Sequence, residues 1–264
     1  MKVVFSKYHG NGNDFILVDN RKNSFPKKDP GLISELCHRR FGIGADGLIL
    51  LEKSKTALDF SMVYFNSDGK EGSLCGNGGR CITAFARSLG LIRKFVTFSA
   101  ADGEHHSILL DYSPSVSKVR LRMNDPVLIK SGRDFFFFHT GSPHYVVTHS
   151  ETDELNVVEE GRKIRYGPEF RKSGTNVDFI RRSRDGVFMR VYERGVEDET
   201  YSSGTGAVAS ALAASLLGWS RKENCIVNTK GGPLKVMFIR KGNSFSDVWL
   251  EGPVHKVFAG EVTV

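Results

Sequence analysis

Short runs of apolar residues, each bounded by glycine or polar residues, recur along the first half of the chain. Runs of this length that are rich in valine, isoleucine, leucine and phenylalanine predict β-strands. We expect such strands at residues 3–5, 15–18, 48–51, 60–64, 96–98, 108–110 and 119–121, with a further buried strand at residues 135–138. Helical patterns are few: one covers residues 30–39, and two others follow glycine-rich turns.

Two of the predicted helices begin in nearly the same way. Residues 75–90 read CGNGGRCITAFARSLG and residues 203–218 read SGTGAVASALAASLLG, each with glycine at its second and fourth positions and a closing glycine suited to a helix C-cap. The second segment starts 128 positions after the first, and the strand tyrosines Tyr64 and Tyr192 are separated by the same distance. These ordered matches indicate an internal duplication of about half the chain.

The composition of these two helices predicts where they lie. Residues 207–217 are small or apolar on nearly every side, which is typical of a buried helix. In the earlier helix Ile82, Phe85, Ala86 and Leu89 follow the i, i+3, i+4, i+7 pattern, with more polar residues between them. Because strands flank both helices, we expect an α+β fold of two pseudo-symmetric lobes, each a sheet or barrel wrapped around a central helix.

Composition and charge narrow the class of protein. The chain has 264 residues, 40% hydrophobic and 25% charged, which is typical of a soluble globular protein. It has no apolar run long enough to span a membrane, and we expect no secretion signal in its first ten residues. The net charge of +7 comes from basic residues scattered among acids, so a solvated basic surface is favoured over a nucleic-acid site.

The chemistry begins at the starts of the two helices. A helix N-terminus has unpaired N–H groups and partial positive charge, so the glycine-rich turns at residues 76–78 and 204–206 are candidate sites for a carboxylate or phosphate. Cys75 directly precedes one of them, where a thiolate is stabilised and can act as acid, base or nucleophile. Cys37, Cys81 and Cys225 are interpreted as inert buried residues, and four cysteines without a CxxC motif favour a reduced, cytoplasmic protein.

Two anion sites and a proton carrier suit the removal of an amino-acid α-proton on one face and its return to the other. The usual way to acidify that proton is pyridoxal phosphate, which requires a Schiff-base lysine. Nothing in the sequence marks such a lysine. We therefore expect a stereochemical inversion without a cofactor.

Nine segments, in order along nearly the whole chain, resemble the diaminopimelate epimerase family. They are residues 7–15 (KYHGNGNDF), 40–47 (RFGIGADG), 65–69 (FNSDG), 75–81 (CGNGGRC), 141–144 (GSPH), 174–178 (GTNVD), 192–195 (YERG), 204–206 (GTG) and 231–234 (GGPL). The resemblance implies a cytoplasmic, homodimeric enzyme that uses no cofactor and no metal. Its substrate would be a small molecule of the amino-acid class, with no role for nucleic acid or membrane.

The reaction that the resemblance implies is the interconversion of LL- and meso-2,6-diaminopimelate, which serves lysine and peptidoglycan synthesis, by two-base proton transfer at the α-carbon. The family fold returns its last strand to the first lobe. The lobes would then comprise residues 1–118 with 255–264, and residues 119–254.

The resemblance also implies roles for individual residues. Cys75 and the residue at position 203 would be the two proton carriers, and His144 and Glu193 would lie near them and tune their protonation. Without the resemblance, His144 would be interpreted as an ordinary turn residue. The implied substrate-binding set is Asn13, Asn66, Gly76, Asn77, Ser142, Asn176, Glu193, Arg194, Gly204 and Thr205.

Three positions depart from the family pattern. Ser203 stands where the family has its second catalytic cysteine, Ser142 where many members have asparagine, and Gly47 lacks a side chain that some members use near the site. A hydroxyl is far less acidic than a thiol, and proton transfer is most effective when the carrier's pKa is near the working pH. The sequence therefore predicts impaired two-base epimerisation.

Two other functions stay open at this point. A related enzyme with one thiol could racemise another amino acid, or remove an α-proton and expel a β-substituent, with Cys75 alone. A binding protein could retain the pocket and lack turnover. Retention of Asn66, Asn176 and Arg194 favours a substrate with a second amino-acid end, and hence the epimerase.

Overall fold

The computed structural model describes residues 1–72, 74–220 and 223–264. It divides into two compact units, one formed by Met1–Leu121 with Gly252–Val264 and the other by Arg122–Glu251. The lobe limits expected from the sequence, at 118/119 and 254/255, lie close to these bounds. Within the described residues, no helix combines the length and apolar composition needed to cross a membrane.

The first unit is built from seven strands in chain order and the end of a long final strand. They are β1 (Lys2–Gly10), β2 (Asn13–Asp19), β3 (Gly47–Glu52), β4 (Phe60–Asn66), β5 (Phe95–Ala100), β6 (Gly103–Tyr112), β7 (Val116–Arg122) and β16 (Ser244–Thr263). Neighbours in this order pair, and β16 pairs back onto β1. The described strands of this unit therefore form a closed ring.

Two helices accompany these strands. α1 (Pro30–Cys37) packs on β3, and α2 (Gly76–Ser88) contacts β1, β2, β3 and β6 from within the ring. Residues 76–86 of α2 are all buried, including Arg80 and Thr83. The helix is therefore enclosed on every side, although its sequence suggested a more polar face. Thr83 is accommodated because its hydroxyl donates to the Gly79 carbonyl at 2.9 Å and shares a hydrogen bond with Ser107 at 2.7 Å.

The second unit has the following elements: β8 (Val127–Ser131), β9 (Phe135–His139), β10 (Pro143–Thr148), α3 (Val157–Arg165), β11 (Asn176–Ser183), β12 (Gly186–Glu193), β13 (Asp198–Thr200), α4 (Gly204–Leu216), β14 (Asn224–Thr229) and β15 (Gly232–Lys241). The strand order is β8-β9-β10-β11-β12-β14-β15-β16, with β13 on β12. α4 is almost wholly buried and contacts β9, β10, β11, β12, β14 and β15.

The two units repeat one pattern of strand directions. In the first, β2–β3 and β4–β5 are parallel, whereas β1–β2, β3–β4, β5–β6 and β6–β7 are antiparallel. In the second, β10–β11 and β12–β14 are the parallel pairs. Each parallel pair is bridged by one helix, as parallel strands require. The predicted α+β fold with one central helix in each of two similar lobes is confirmed.

The predicted strands of the first half are all present, and the structure extends each of them. The helix expected at 30–39 ends at Cys37, because His38 adopts an extended backbone with φ −66° and ψ 122°. Phe135–His139 alternates between more and less buried residues, with Phe136 and Phe138 buried. Sequence patterning did not predict α3, which buries only Val157 and Gly161.

Candidate active site

Cys75 is the N-cap of α2 and has an extended backbone, with φ −95° and ψ 124°. Its Sγ lies 3.4 Å from Oδ1 of Asn13, the first residue of β2. Nδ2 of Asn77, in the first turn of α2, donates to the same Oδ1 at 3.2 Å. Nδ2 of Asn13 donates to Oδ2 of Asp46 at 2.7 Å, which fixes its amide so that the carbonyl oxygen faces the thiol.

α2 carries a buried cation close to its first turn. Arg80 is fully buried, and its guanidinium donates to Oδ1 of Asn77, to Oδ1 of Asn11 at 3.2 Å and to the Pro253 carbonyl at 3.1 Å. Burial lowers the pKa of Arg80 to about 10, which still leaves it charged at neutral pH. Its charge adds to the helix dipole and favours an anion at the start of α2. Nothing in the sequence marked Arg80, although it lies within one of the family-like segments.

A network of ion pairs lies next to Asn13 in the sequence and includes side chains of β1, β2 and the segment before β3. Asp14 pairs with Lys7 at 2.7 Å and with Arg39 at 2.8 Å, and Arg39 also reaches Asp46 at 2.6 Å. Burial alone would raise the pKa of Asp14, but hydrogen bonds from Arg39 and Lys7 outweigh it and lower this pKa to about 2. Burial raises the pKa of Asp46. The network holds Asp46, which in turn orients the amide of Asn13.

Asn66 lies at the exposed end of β4, and its Oδ1 accepts a hydrogen bond from the Tyr64 hydroxyl at 3.0 Å. The same tyrosine explains the departure at Gly47. A Cβ at Gly47 would lie 2.5 Å from a ring carbon of Tyr64 and 2.5 Å from the Phe65 carbonyl oxygen. A side chain at position 47 therefore has no room beside this tyrosine.

Ser203 is the N-cap of α4, with φ −125° and ψ 126°. Its Oγ accepts a hydrogen bond from the Gly206 N–H at 3.2 Å and lies 3.4 Å from Oγ1 of Thr205. Serine is a favourable N-cap because its oxygen satisfies one of the unpaired N–H groups. The two helices thus start with the same backbone geometry, one on a thiol and the other on a hydroxyl.

His144 of β10 lies against the start of α4. Its Nε2 is 2.8 Å from Oγ1 of Thr205, and its Nδ1 is 2.7 Å from Oδ2 of Asp178 on β11. The side chains of His144 and Asp178 are fully buried. The Thr140 hydroxyl donates to the Thr205 carbonyl at 2.9 Å, which fixes this turn from the other side. Asp178 and Thr140 were missed from the sequence; Asp178 follows Asn176 by two positions on one strand and shares its face.

A second polar group surrounds Asn176. Its Nδ2 donates to Oγ of Ser142 at 2.9 Å and to the Pro143 carbonyl at 2.9 Å, and its Oδ1 accepts from the Arg194 N–H at 2.9 Å. The Arg194 guanidinium donates to the Ser173 carbonyl at 2.9 Å. Ser142, where many relatives have asparagine, is therefore tied to the amide of Asn176.

Glu193 ends β12, and its Oε2 accepts a hydrogen bond from the Thr200 hydroxyl of β13 at 2.8 Å. The structure brings together Cys75, Asn13 and Asn77 around the start of α2, and groups His144, Ser203 and Thr205 around the start of α4. The glycines expected to approach the substrate, Gly76 and Gly204, are the first residues of the two helices.

The other cysteines match the interpretation as inert residues. Cys37, Cys81 and Cys225 are buried. Burial raises the pKa of Cys37 and of Cys225 to about 12, and it also raises that of Cys81. All three therefore stay as thiols at neutral pH.

Comparison with known proteins identifies the family. The sequence pattern of the family described as Diaminopimelate epimerase matches residues 5–128 and 136–257. The diaminopimelate epimerase of Flavobacterium psychrophilum is 44% identical over 253 residues, which cover 96% of this chain and 97% of that protein. That of Hydrogenobaculum sp. is 37% identical over 278 residues, covering 98% of each.

Solved structures agree on the fold. A phenazine biosynthesis protein of the PhzF family from Bacillus anthracis superimposes with a TM-score of 0.76 at 15% identity, covering all of both chains. A hydroxyproline epimerase from Agrobacterium vitis gives a TM-score of 0.74 at 15% identity, covering 99% of this chain and 92% of that one. These similarities show the fold alone, whereas the family pattern and the closer relatives extend along nearly the whole sequence. The chain therefore belongs to the diaminopimelate epimerase family.

Proposed function

We propose that this protein is an amino-acid epimerase that interconverts LL- and meso-2,6-diaminopimelate at the α-carbon. The observation that carries the proposal is the start of α2, where Cys75 is the N-cap of a buried helix and its thiol lies 3.4 Å from Oδ1 of Asn13, to which Asn77 also donates. An α-carboxylate held by the N–H groups of this helix would place its α-carbon near the thiol. Family membership supports the choice of substrate.

In the proposed reaction the Cα–H bond breaks as the Cys75 thiolate takes the proton, forming an S–H bond. The negative charge that develops spreads onto the substrate carboxylate, where unpaired N–H groups and the helix dipole stabilise it. The buried charge of Arg80 acts in the same direction. This chain's own backbone and side chains thus supply the stabilisation, and the inversion is proposed to need no cofactor.

The start of α4 would serve the opposite face through Ser203 and its neighbours. A serine hydroxyl is a poor proton carrier unless a base assists it, so we expect turnover below that of a two-thiol enzyme. Gly204 and Thr205 offer a second set of helix N–H groups for the carboxylate. His144 lies behind them, 2.8 Å from Thr205.

Asn66, Asn176, Glu193 and Arg194 are proposed to recognise the amino and carboxyl groups of the substrate. An arginine guanidinium matches a carboxylate through paired hydrogen bonds. Two of these residues are already joined, because Asn176 accepts the backbone N–H of Arg194. We further propose that the enzyme acts in the cytoplasm as a homodimer and supplies lysine and peptidoglycan synthesis.

The test is α-proton exchange in D₂O with LL- and meso-diaminopimelate, followed by mass spectrometry and chiral chromatography. The chain and its Ser203→Cys variant are compared side by side. We expect exchange in both and faster inversion in the variant. If the variant binds diaminopimelate but neither exchanges nor inverts it, the proposed function is wrong. An unsaturated or keto product from a 3-hydroxy amino acid would instead favour a dehydratase.

A further inference from the structure

The start of α4 contains an unbroken series of polar contacts that leads from its cap residue to a buried carboxylate. Oγ of Ser203 is 3.4 Å from Oγ1 of Thr205, which is 2.8 Å from Nε2 of His144. Nδ1 of His144 is 2.7 Å from Oδ2 of Asp178. Every member of the series lies within residues 122–251, in the second compact unit.

The contacts fix which ring nitrogen of His144 carries the proton. An ionised carboxylate only accepts hydrogen bonds, so Nδ1 donates to Asp178 and Nε2 of the neutral ring accepts. The Thr205 hydroxyl faces Nε2 at 2.8 Å and donates to it, whereas Nδ2 of Asn176, 3.3 Å away, already donates both of its hydrogens to Ser142 and Pro143. His144 is therefore held as a base directed at Thr205.

Asp178 is placed to keep His144 in this orientation. Its side chain is fully buried, and within the described part of the chain its Oδ1 has no hydrogen-bond partner. That oxygen lies against the first turn of α4, because a Cβ on Gly206 would be only 2.6 Å from it. The positive end of the helix dipole compensates for the buried charge. Only glycine at 206 permits so close an approach.

We propose that Ser203, Thr205 and His144 form a proton relay, oriented by Asp178, that replaces the missing thiol on one face of the substrate. This inference rests on the proposed epimerase function. When the relay accepts a proton, the Cα–H bond breaks and Oγ of Ser203 takes the proton while its own passes to Thr205. The Thr205 proton passes to Nε2 of His144, which becomes an imidazolium beside the Asp178 carboxylate. The reverse sequence returns a proton to the substrate.

The relay predicts a selective loss of inversion. Cys75 alone can exchange the α-proton on one face with retention of configuration, whereas inversion needs both carriers. We expect Thr205→Val and Asp178→Asn to lower inversion by about a hundredfold or more, the usual size of a general acid–base contribution, with a much smaller loss of exchange. Thr205→Ser keeps the hydroxyl and should restore most of the inversion.

The experiment measures deuterium incorporation and product configuration for each variant in two backgrounds, the Ser203 chain and its Ser203→Cys variant. A thiol at position 203 carries the proton itself, so the loss of inversion caused by Asp178→Asn should be at least about tenfold smaller in that background. Asp153→Asn, which changes an exposed aspartate paired with Arg181, is the matched control. Circular dichroism and thermal melts check folding, and the Thr205→Val and Thr205→Ser pair carries the test if Asp178→Asn unfolds.

The outcomes separate the two proposals. If neither background exchanges the α-proton, both the epimerase function and the relay are wrong. If Ser203→Cys inverts but the Ser203 chain only exchanges, the function holds and the relay is refuted. Equal losses in both backgrounds, or exchange falling in step with inversion, also refute the relay, because they indicate a structural role for Asp178. Selective loss of inversion with rescue by Thr205→Ser supports it.

Discussion

At the start of α2 the cap residue is Cys75 with φ −95° and ψ 124°, and at the start of α4 it is Ser203 with φ −125° and ψ 126°. Both helices are enclosed by strands of matching direction. Behind the caps the two sites differ. α2 itself contributes the buried Arg80, whereas the residue 128 positions later, in α4, is the buried, apolar Val208. The second start relies instead on the His144–Asp178 pair.

This difference shows what the duplication retained. The backbone that presents helix N–H groups to an anion is the same in both units, while the side chains behind it diverged. One unit places a fixed cation there, and the other an imidazole with a carboxylate. The two ends of the proposed reaction therefore need not use the same kind of proton carrier. Five measurements test this difference between the two helix starts.

The largest expected effect is at Cys75. Cys75→Ser would leave a hydroxyl at both helix starts, and because the thiol is the group proposed to remove the α-proton on its own face, exchange of the stereoisomer whose α-proton faces Cys75 should fall by about a thousandfold or more. Deuterium incorporation into LL- and meso-diaminopimelate, followed separately, measures it. The control is Cys225→Ala, which removes a buried thiol from β14 and should leave the rate nearly unchanged. Exchange of both stereoisomers at an unchanged rate in Cys75→Ser would contradict the assignment of α2 as a catalytic start.

The converse change makes the two starts alike. Ser203→Cys should raise the rate of LL/meso interconversion by about a hundredfold, because a thiol is a far better acid and base near neutral pH. The variant also gives up the oxygen that caps α4, so its melting temperature should fall slightly. Steady-state interconversion and a thermal melt are the two measurements. A rate equal to that of the Ser203 chain would mean that the hydroxyl is already sufficient.

Substitution of Arg80 tests the difference between the buried residues of α2 and α4. Arg80→Met removes the cation and the hydrogen bonds that it donates to Oδ1 of Asn77 and to Oδ1 of Asn11. We expect a loss of about 3 kcal/mol in the free energy of unfolding, since a buried hydrogen bond to a charged group contributes roughly 1.5–3 kcal/mol. Urea denaturation measures this. Val208→Ala at the matching position of α4 should cost less, about 1–2 kcal/mol, because it removes only apolar contacts. Equal losses would mean that Arg80 acts by packing alone.

A matched pair of glycines probes the same two starts. Gly206 and Gly78 lie 128 positions apart. A Cβ at 206 would lie 2.6 Å from the Asp178 carboxylate, whereas one at 78 would meet the flexible ends of Ile49 at 3.1 Å and Met62 at 3.3 Å. We expect Gly206→Ala to cost about 2 kcal/mol and Gly78→Ala about 1 kcal/mol or less in urea denaturation. A greater loss from Gly78→Ala would contradict the close approach of Asp178.

Sequence patterning predicted much of this fold because the strands are apolar runs and the duplication repeats them. It missed α3, whose residues are mostly polar and half-exposed. Two signals could have found it. Asn156 caps the helix by accepting from the Glu159 N–H, a pairing visible in the spacing. The duplication offset also carries α1 onto residues 158–165, almost the whole of Val157–Arg165.

The residues of the candidate site also fall into two groups, those that the sequence identifies and those that only the structure identifies. Cys75 and Ser203 can be identified from the sequence because each directly precedes a glycine-rich helix start. Arg80 and Asp178 cannot, because their roles depend on partners on other elements, such as Asn11 after β1 and His144 on β10. In the sequence alone a buried charged residue cannot be distinguished from an exposed one, because its partners come near it only when the chain folds. Long-range pairing of this kind cannot be deduced from spacing along one chain.

The smallest expected effect concerns the acid limb of stability in the unit that holds Cys75. The pKa of Asp14 is lowered to about 2 when the chain is folded, so its ion pairs with Lys7 and Arg39 stabilise the protein fully above the ordinary aspartate pKa of about 4. That contribution disappears as the pH falls from about 4 to 2. Asp46 acts in the opposite direction, because burial raises its pKa, and its contribution changes above about pH 4, outside this range.

Asp14→Asn should therefore flatten the dependence of the unfolding free energy on pH between about 4 and 2, while lowering stability at neutral pH. Urea denaturation at a series of pH values measures both. Asp153→Asn is the control, because its side chain is 62% exposed and its pairing with Arg181 is screened by solvent. If Asp14→Asn keeps the full acid slope, another carboxylate must dominate it. The ion pairs of Asp14 would then contribute little to the stability of the unit that holds Cys75.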